Sequence, residues 1–567
     1  MPASGFEGDA SLGRRRVTDL LATAVDRFGE KPALIFEGRR TSFAQLGGLV
    51  ERATRGFQNL GISKGDRVGL FLPNTPFYVI CYFAILGAGG VVVNFNPLYA
   101  EHEIEALARD SGVRIIVTLD LPEHVGKLAP LFATAGLEHL VVCPLAEALP
   151  LGKSLLYRLF RKNQQARVPP HDARWIPFVA LLSDAAPATA VTVDAQSDLA
   201  VLQYTGGTTG LPKAAMLTHA NLTANAEQLV RWLPDVREGD ERILMVLPLF
   251  HVFAMTVGML TGMASGAMLI LVPRFDLQAV IRAIARLRAT LLPGVPTLYN
   301  AINEATARRP SDLTSIRFCI SGGAPLPVEV RARFETLTGC RLVEGYGLSE
   351  TSPVLTCNPL DGLVKDASVG LPMPGTEIEI RALDDPARLL GAGEVGEICA
   401  RGPQVMRGYW NRPEENAASF IEGAFRTGDV GYRDADGYLF IVDRIKDMIN
   451  NGGFKVYPRA VEEALYRHPA VAEAIVVGVP DPRRGQVPKA FVRLHPGTRV
   501  TADDLHAFLG HEISPLEMPR EIEFRAALPR TTVGKLSRRD LAEEEARKAQ
   551  AAGRTGGVAA ISGKGGS

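Results

Sequence analysis

Neither sign of charge is in surplus in this chain: over 567 residues Lys and Arg total 62, and so do Asp and Glu. Such a balance leaves no bulk field to gather a polyanion, so nucleic acid is not an expected partner. Cysteine is scarce. The six are scattered at Cys81, Cys143, Cys319, Cys340, Cys357 and Cys399, with no C-x-x-C pair and no ligand-like pairing with histidine. That argues against a zinc ribbon or a disulfide framework and fits reduced, mostly buried thiols in a cytoplasm. Unbroken apolar runs are missing too. Gly69 to Ala100 and Ile243 to Pro273 lack formal charge, yet the first is broken by Pro73, Asn74, Pro76 and a glycine cluster, and the second by Pro248 and His251. A bilayer span wants about 20 continuous apolar residues, so both read as buried strand–helix–strand units. No secretory leader is expected, because Asp19 and Asp26 interrupt the apolar stretch after Arg14-Arg15-Arg16. No internal repeat is visible.

What is present is an ordinary globular composition, 46% apolar and 22% charged, in a chain too long for one core. From Arg67 onward, strand-length runs (Val68–Leu72, Ile115–Val117, Leu140–Val142) alternate with helix-length segments, which predicts α/β units around largely parallel sheets. Val17–Phe28 has helical periodicity, Pro32 to Phe43 carries short strands, and Leu244–Leu249 reads as a strand ending in Pro248-Leu249-Phe250-His251. Near the end, Val461–Tyr466 and Asp503–Leu509 read as helices and Ala474–Val479 as a strand of a small separate domain. Residues 1–12 and 549–567, biased toward Gly, Ala and Ser, are expected to be disordered.

The stretch with most chemistry in it is Tyr204–Lys213, YTGGTTGLPK. It follows the apolar run Leu199–Gln203 and precedes Thr218-His219-Ala220-Asn221, a helix start with Thr218 as cap, so the sequence predicts strand, loop, helix. Glycines allow close backbone approach, and N–H groups with threonine hydroxyls can surround a phosphate while Lys213 supplies positive charge. The spacing is neither the P-loop nor the dinucleotide pattern, and Gly/Thr-rich turns also occur as plain surface loops.

Two other stretches carry open alternatives. In 151–170, Leu155, Leu156, Leu159 and Phe160 recur at helical spacing among Lys153, Arg158, Arg161 and Lys162. Such a helix either lies on an anionic membrane surface or packs on the protein with its cations solvated. Met245, Met255, Met259, Met263 and Met268 either line an apolar ligand pocket or fill a core.

Two more loops follow apolar runs: Ser321-Gly322-Gly323-Ala324-Pro325-Leu326, and Glu344-Gly345-Tyr346-Gly347-Leu348-Ser349-Glu350-Thr351. In open α/β sheets ligands gather at such strand ends. With RTGD around Asp429, DRIKDMINNGGFKVYP from Asp443 and PRTTVGK ending at Lys535, six motifs stand in one order along the chain. Order and spacing resemble the acyl-adenylate-forming superfamily of acyl-CoA synthetases, luciferases and peptide-synthetase adenylation domains, over about Asp19 to Leu541. EGYGLSETSPVLTCNP and RGPQVMRGYWNRPEE are most similar to bacterial long-chain fatty-acid–CoA ligases.

The resemblance implies an α/β fold: a large N-terminal, multi-subdomain adenylating domain (13–445) and a small mobile α+β C-terminal domain (446–548). It implies a Mg²⁺-dependent ligase that joins a medium- or long-chain fatty acid to ATP as acyl-AMP, releasing pyrophosphate, then passes the acyl group to CoA. An aryl-CoA ligase or an acyl-AMP ligase serving a carrier protein is the alternative, and a non-catalytic acyl-nucleotide-binding protein a more distant one. By the same resemblance Thr205, Gly206, Gly207, Thr208, Thr209 and Gly210 hold the outer phosphates beside Lys213. Glu350 holds Mg²⁺, and Ser349, where the family usually has Thr, offers its hydroxyl near the α-phosphate. Tyr346, with Glu344, Gly345 and Gly347, belongs to the adenine site, and Gly322, Gly323 and Ala324 leave room for nucleotide and acyl group. Asp429 accepts the ribose hydroxyls with Arg444 assisting, Lys535 serves the adenylation step, and Lys446 is the hinge. Gly452, Gly453 and Phe454 belong to the CoA channel. His251 stands at the mouth of the acyl pocket or is a satisfied core histidine. Ala214 departs from the glycine that relatives often carry there. The expected setting is the cytoplasm, with contact to the inner membrane face through 151–170; a homodimer is among the allowed states.

Overall fold

The computed structural model describes residues 12–160, 165–166, 169, 171–205, 212–530 and 536–559. The chain divides into two compact units: Met1–Ile378 with Ala400–Phe425, and Glu379–Cys399 with Arg426–Ser567. This division does not coincide with the 445/446 boundary read from sequence, since strands from 379–399 sheet with the strands that follow Arg426.

The first unit holds two sheets. In one, strands Trp175–Pro177, His139–Cys143, Ile115–Leu119, Arg67–Phe71, Val91–Asn94 and Leu199–Thr205 run parallel in that spatial order, and Lys213–Thr218 closes the edge antiparallel. In the other, Pro32–Phe36, Met268–Leu271, Arg242–Met245, Leu291–Gly294, Phe318–Gly322 and Arg341–Gly347 run parallel, flanked by antiparallel Arg39–Ser42 at one end and Val354–Cys357 with Ser368–Pro372 at the other. Central strands such as Ile115–Leu119 and Met268–Leu271 are buried at every position. That is why they read as continuous apolar runs rather than alternating ones. The helix Pro76–Gly87 is buried all round, Pro76 sitting where its missing N–H costs nothing.

The helix Val17–Phe28 lies where its periodicity put it. Two local readings differ from the structure. The Leu244–Leu249 strand ends at Met245, the last residue in register with Leu271. The segment after the phosphate loop is a strand, not a direct entry into a helix. Lys213–Thr218 pairs back on Leu199–Thr205, so Gly206–Leu211, themselves outside the described residues, join two antiparallel strands. Thr218 is nonetheless the cap: its hydroxyl accepts the Asn221 N–H at 3.1 Å, and the Asn221 side chain accepts the Thr218 N–H at 2.9 Å. The helix that follows, His219–Trp232, buries a polar stripe: Asn221 donates to the carbonyls of Pro403 and Val405, Asn225 to that of Val354, and Gln228 to that of Pro374. Each buried amide is thus matched, as burial demands.

His219 heads that helix, and its Nδ1 accepts the Val17 N–H at 3.2 Å. Burial pulls its imidazole down to about 4, against 6.5 when free. The unfolded chain therefore takes up a proton near pH 6.5 that the folded chain refuses until about pH 4, so stability falls as pH drops through that window. From pH 7 to 5 this one group is expected to cost about 2 kcal/mol. His219→Gln, which keeps an acceptor for Val17, should flatten the pH dependence of the urea midpoint. Parallel profiles for the two proteins would refute the assignment.

In the second unit the strands Glu377–Arg381, Gly396–Arg401, Ala424–Arg433 and Leu439–Arg444 lie side by side in chain order. A long hairpin, Val471–Asp481 with Gly485–Leu494, carries Glu521–Phe524 parallel to its second strand. The helices Pro458–Tyr466 and Ala502–Leu509 bury Val461, Leu465, Leu505 and Leu509 with Val476 and Val492. The last helix, Arg538–Ala559, runs into the stretch expected to be disordered from 549. Its first half is laced by Arg539–Glu543 and Glu544–Lys548 pairs, and alanine, the strongest helix former, suits its continuation.

Candidate active site

Two of the loops singled out by sequence leave neighbouring strands. Phe318–Gly322 and Arg341–Gly347 are parallel and in register, Ser321 opposite Glu344 and Gly322 opposite Gly345. Both chains therefore turn out at the same level of the sheet. The Glu344 carboxylate ties them together by accepting the Leu326 N–H at 3.2 Å. The glycines are small for definite reasons. A Cβ on Gly347 would lie 1.7 Å from the Pro353 carbonyl oxygen, and one on Gly322 would lie 3.2 Å from the ring of Phe253. Gly323 sits at φ +81°, which side chains rarely adopt.

Phe253 belongs to the segment carrying His251. That imidazole is half-buried, and its Nδ1 accepts the Phe253 N–H at 3.3 Å. The chain then enters a π-helical turn, Ala254–Leu260, a geometry frequent at functional sites. Met245, Met255, Met259, Met263 and Met268 are all buried in the core around it, the Met245 thioether lying across Gly258. Behind the turn lies a small void of about 10 Å³, room for one water at most, lined by Leu233, Val257, Thr261, Leu291, Phe318 and Ile320.

After Gly347 a short turn, Ser349–Thr351, presents Ser349 and Glu350. Glu350 is 8% exposed. Its Oε1 accepts the Tyr409 hydroxyl at 2.8 Å, and its carbonyl accepts the Met406 N–H at 2.7 Å. Burial, with the Glu350 charge adding, holds the Tyr409 phenol far above its ordinary value of 10, so it stays a proton donor at any working pH. On the same ring, 5.4 Å from its centroid, sits the Lys213 ammonium, which also pairs with Glu415 at 3.8 Å. Tyr409 is held in turn by a bridge to Ala215 and by Asn416, whose side chain accepts its N–H at 2.5 Å. Thr205, at the other stem of the phosphate loop, donates its hydroxyl to the Lys213 carbonyl at 3.3 Å. The exit of that loop and the acidic turn thus share one tyrosine.

Within the second unit, Asp429 and Arg444 face each other across strands, with Nε to Oδ1 at 3.0 Å. Asp429 is buried and Arg444 half-exposed. Lys446 lies exposed in the turn that follows. Gly452 and Gly453 take positive φ (63° and 94°) between strands Ile449–Asn451 and Phe454–Val456, the two-residue hairpin that only glycine-like residues close easily. Phe454 is exposed. Arg538 bridges three carboxylates: Glu462 at 2.7 Å, Asp447 at 3.0 Å and Asp443 at 3.5 Å. Two of these, Asp443 and Asp447, bracket Lys446.

Among the described residues no group of three or more His, Cys, Asp or Glu gathers as a metal cage. A magnesium ion needs less: one or two carboxylates, with substrate phosphates and water completing its shell. Glu350, a buried carboxylate that shares Tyr409 with Lys213, fits that demand.

The model of the AMP-binding enzyme family matches residues 21–410, and that of the AMP-binding enzyme C-terminal domain matches residues 460–535. This chain belongs to the AMP-binding enzyme family. It is 42% identical over 94% of its length to the long-chain-fatty-acid–CoA ligase of Bacillus subtilis (strain 168), covering 95% of that protein. It is 37% identical to the enzyme of the same name from Escherichia coli O157:H7, covering 93% of this chain and 94% of that one. A crystal structure of the anthranilate CoA ligase AuaEII in complex with anthranoyl-AMP superimposes with a TM-score of 0.82 at 26% identity, covering 95% of this chain and 98% of that one. The family and fold read from the motifs are therefore borne out.

In this AMP-binding enzyme the structure brings Gly322, Gly323, Ala324, Glu344, Gly345, Tyr346 and Gly347 to paired strand ends. It groups Glu350 with Lys213 and pairs Asp429 with Arg444. Gly206, Gly207, Thr208, Thr209, Gly210 and Lys535 lie outside the described residues. The sequence reading missed Tyr409, Glu415, Phe253 and Arg538. Tyr409 lay in plain view within RGPQVMRGYWNRPEE, but nothing local marks a tyrosine whose partners are 59 and 196 positions away.

Proposed function

We propose that this AMP-binding enzyme is a fatty-acid–CoA ligase for medium to long chains. A fatty carboxylate attacks the α-phosphate of ATP to give acyl-AMP and pyrophosphate, and the CoA thiol then displaces AMP to give the thioester. The observation that carries the reading is the joint seating of Lys213 and Glu350 on Tyr409 at the exit of the phosphate loop. Adenylation brings one anion to another, so fixed positive charge and exact positioning must carry most of the rate.

On this reading Thr205–Gly210 and Lys213 hold the departing pyrophosphate, Ser349 stands near the α-phosphate, and Tyr346 lies against adenine. Asp429, oriented by Arg444, accepts the ribose hydroxyls. Glu350 would hold Mg²⁺, which supplies neutralisation of phosphate charge. Lys535 serves the first step, Lys446 is the hinge, and Gly452, Gly453 and Phe454 meet the pantetheine arm. His251, next to the π-helical turn, stands at the mouth of the acyl pocket. The similarity to long-chain-fatty-acid–CoA ligases supports chain length, and the buried, unpaired cysteines support a cytoplasmic setting.

A panel of pyrophosphate release across aliphatic chain lengths and aryl acids, repeated with CoA, tests this. We expect kcat/KM at least about tenfold higher for medium or long aliphatic acids than for aryl acids, with free acyl-CoA formed. Aryl preference, or adenylation without transfer to free CoA, would replace this reading with an aryl-CoA ligase or a carrier-protein loader.

Tyr409 gives a finer test. Tyr409→Phe keeps the ring under Lys213 and removes only the hydroxyl that orients Glu350. A hydrogen bond to a charged group is worth about 1.5–3 kcal/mol, so the Mg²⁺ concentration for half-maximal adenylation should rise roughly tenfold or more, with acyl KM unchanged. A Mg²⁺ titration superimposable on the wild type would remove that role from Tyr409.

A further inference from the structure

The first unit holds a cavity of about 240 Å³ where three neighbouring parallel strands begin. Arg67, Val91 and Leu199, the opening residues of those strands, all line it. The loop between Thr205 and Lys213 leaves the other end of the same sheet. Leu199 pairs with Thr218 at the cavity and Thr205 with Lys213 at the loop; the six steps between them span about 20 Å. Trp410, the neighbour of Tyr409, reaches the cavity from the level of Lys213, its N–H bonded to the Ala214 carbonyl at 2.8 Å. At about 30 Å³ per water the volume equals about eight waters, or room for one small ring.

The walls are unevenly satisfied. His219, only 2% exposed, lines the cavity, and its Nδ1 is taken by the Val17 N–H at 3.2 Å. That bond leaves the ring proton on Nε2, which has no hydrogen-bond partner among the described residues. A buried donor without an acceptor is rare enough in folded proteins to call for one. The other polar groups are already committed. Asp198 accepts the Lys64 ammonium and the Asp194 N–H, each at 2.7 Å, and the Ser197 hydroxyl donates to Asp194. The Arg67 guanidinium, 5.7 Å from the Trp410 ring centroid, is pinned by the carbonyls of Gly65, Ser111 and Gly112. Two cations therefore line the cavity against one carboxylate, and the imidazole adds a donor rather than an acceptor.

We infer that this cavity is a second ligand site, for a one-ring planar carboxylate, apart from the sites for nucleotide and acyl group. The surplus positive charge and the His219 N–H suit a carboxylate, because bonds to an ionised acceptor are the strong ones. Val91, Val193, Leu199 and the Trp410 indole suit a flat apolar body, the usual division of labour in a small-molecule pocket. A nucleotide, which takes a pocket of roughly 300 Å³ or more, is too large.

The test titrates nicotinate, and nicotinamide as its uncharged counterpart, into the full chain near neutral pH by ligand-observed NMR and calorimetry. Nicotinate should bind with a Kd of about 1 mM or tighter, as a ligand of about nine heavy atoms can. Nicotinamide should bind at least about fivefold more weakly. Lys64→Gln should erase that preference, and Val193→Phe, which fills the cavity, should abolish binding of both. His219→Leu removes the donor but also strips Val17 of its acceptor, so the half-exposed Lys64 and half-buried Val193 carry the test instead. In both variants thermal midpoints and pyrophosphate release with a fatty acid should stay at wild-type levels. No saturable binding by the wild type would overturn the proposal, as would equal affinity for acid and amide. Binding that survives Val193→Phe would also overturn it, by placing the probe in a substrate site.

Discussion

Lys535→Ala is expected to abolish acyl-adenylate formation, by roughly a thousandfold or more, while thioester formation from supplied acyl-AMP stays within about threefold of wild type. The asymmetry follows from where charge develops. In the first step a carboxylate approaches an α-phosphate, and a cation aimed between them stabilises the transition state more than the ground state. In the second step a thiol attacks a mixed anhydride whose charge leaves with AMP, and no such bridging cation is required. The described residues on either side of 531–535 are tied to one another. Ser537 donates its N–H to the Pro529 carbonyl at 2.8 Å, and Arg530 bridges to Leu536, so the stems of the lysine-bearing segment are pinned together. Arg530 pairs with Glu473, and Arg538 is clasped by Glu462, Asp447 and Asp443. Separate assays of pyrophosphate release and of CoA consumption from synthetic acyl-AMP decide the matter. Equal loss in both half-reactions would make Lys535 structural.

Glu350→Gln is the second large effect. The amide oxygen can still accept the Tyr409 hydroxyl, so the turn should keep its shape while the charge is lost. Fixed anionic charge is what a hard divalent cation requires of this position. We expect adenylation to fall about a hundredfold to a thousandfold at ordinary Mg²⁺, with partial recovery at high Mg²⁺. The acyl KM should hold and the thermal midpoint should not drop. Activity within threefold of wild type without a shifted Mg²⁺ dependence would place the metal elsewhere. Comparing this variant with Tyr409→Phe separates supplying a ligand from orienting one: the first loses maximal rate, the second mainly Mg²⁺ affinity.

Much of the fold was legible because its signals are local. Helix Val17–Phe28 shows in its apolar spacing, the cap at Thr218 in its hydroxyl three residues before Asn221, and the central strands in unbroken runs of Val, Ile and Leu. The misreadings share one cause. Lys213–Thr218 is a strand only because Leu199–Thr205 lies beside it, and no propensity within KAAMLT outweighs the visible cap that follows. The end of the Leu244 strand at Met245 is likewise set by where its neighbour Met268–Leu271 runs out of partners.

What the sequence determined by itself is the inventory of groups: a loop of glycines and threonines, two glycine turns, carboxylates at Glu350 and Asp429 and a lysine near the end, in one order. Short motifs carry that because each is a run of consecutive residues whose backbone needs are local. What only the tertiary structure decided is adjacency. It seated Lys213 over the Tyr409 ring and Glu350 on its hydroxyl, filled the space beside Gly322 with Phe253, sent five methionines into the core, and turned the apolar face of Leu151–Phe160 outward. Those outcomes depend on packing between segments tens to hundreds of residues apart, where no pattern within either segment specifies the partner.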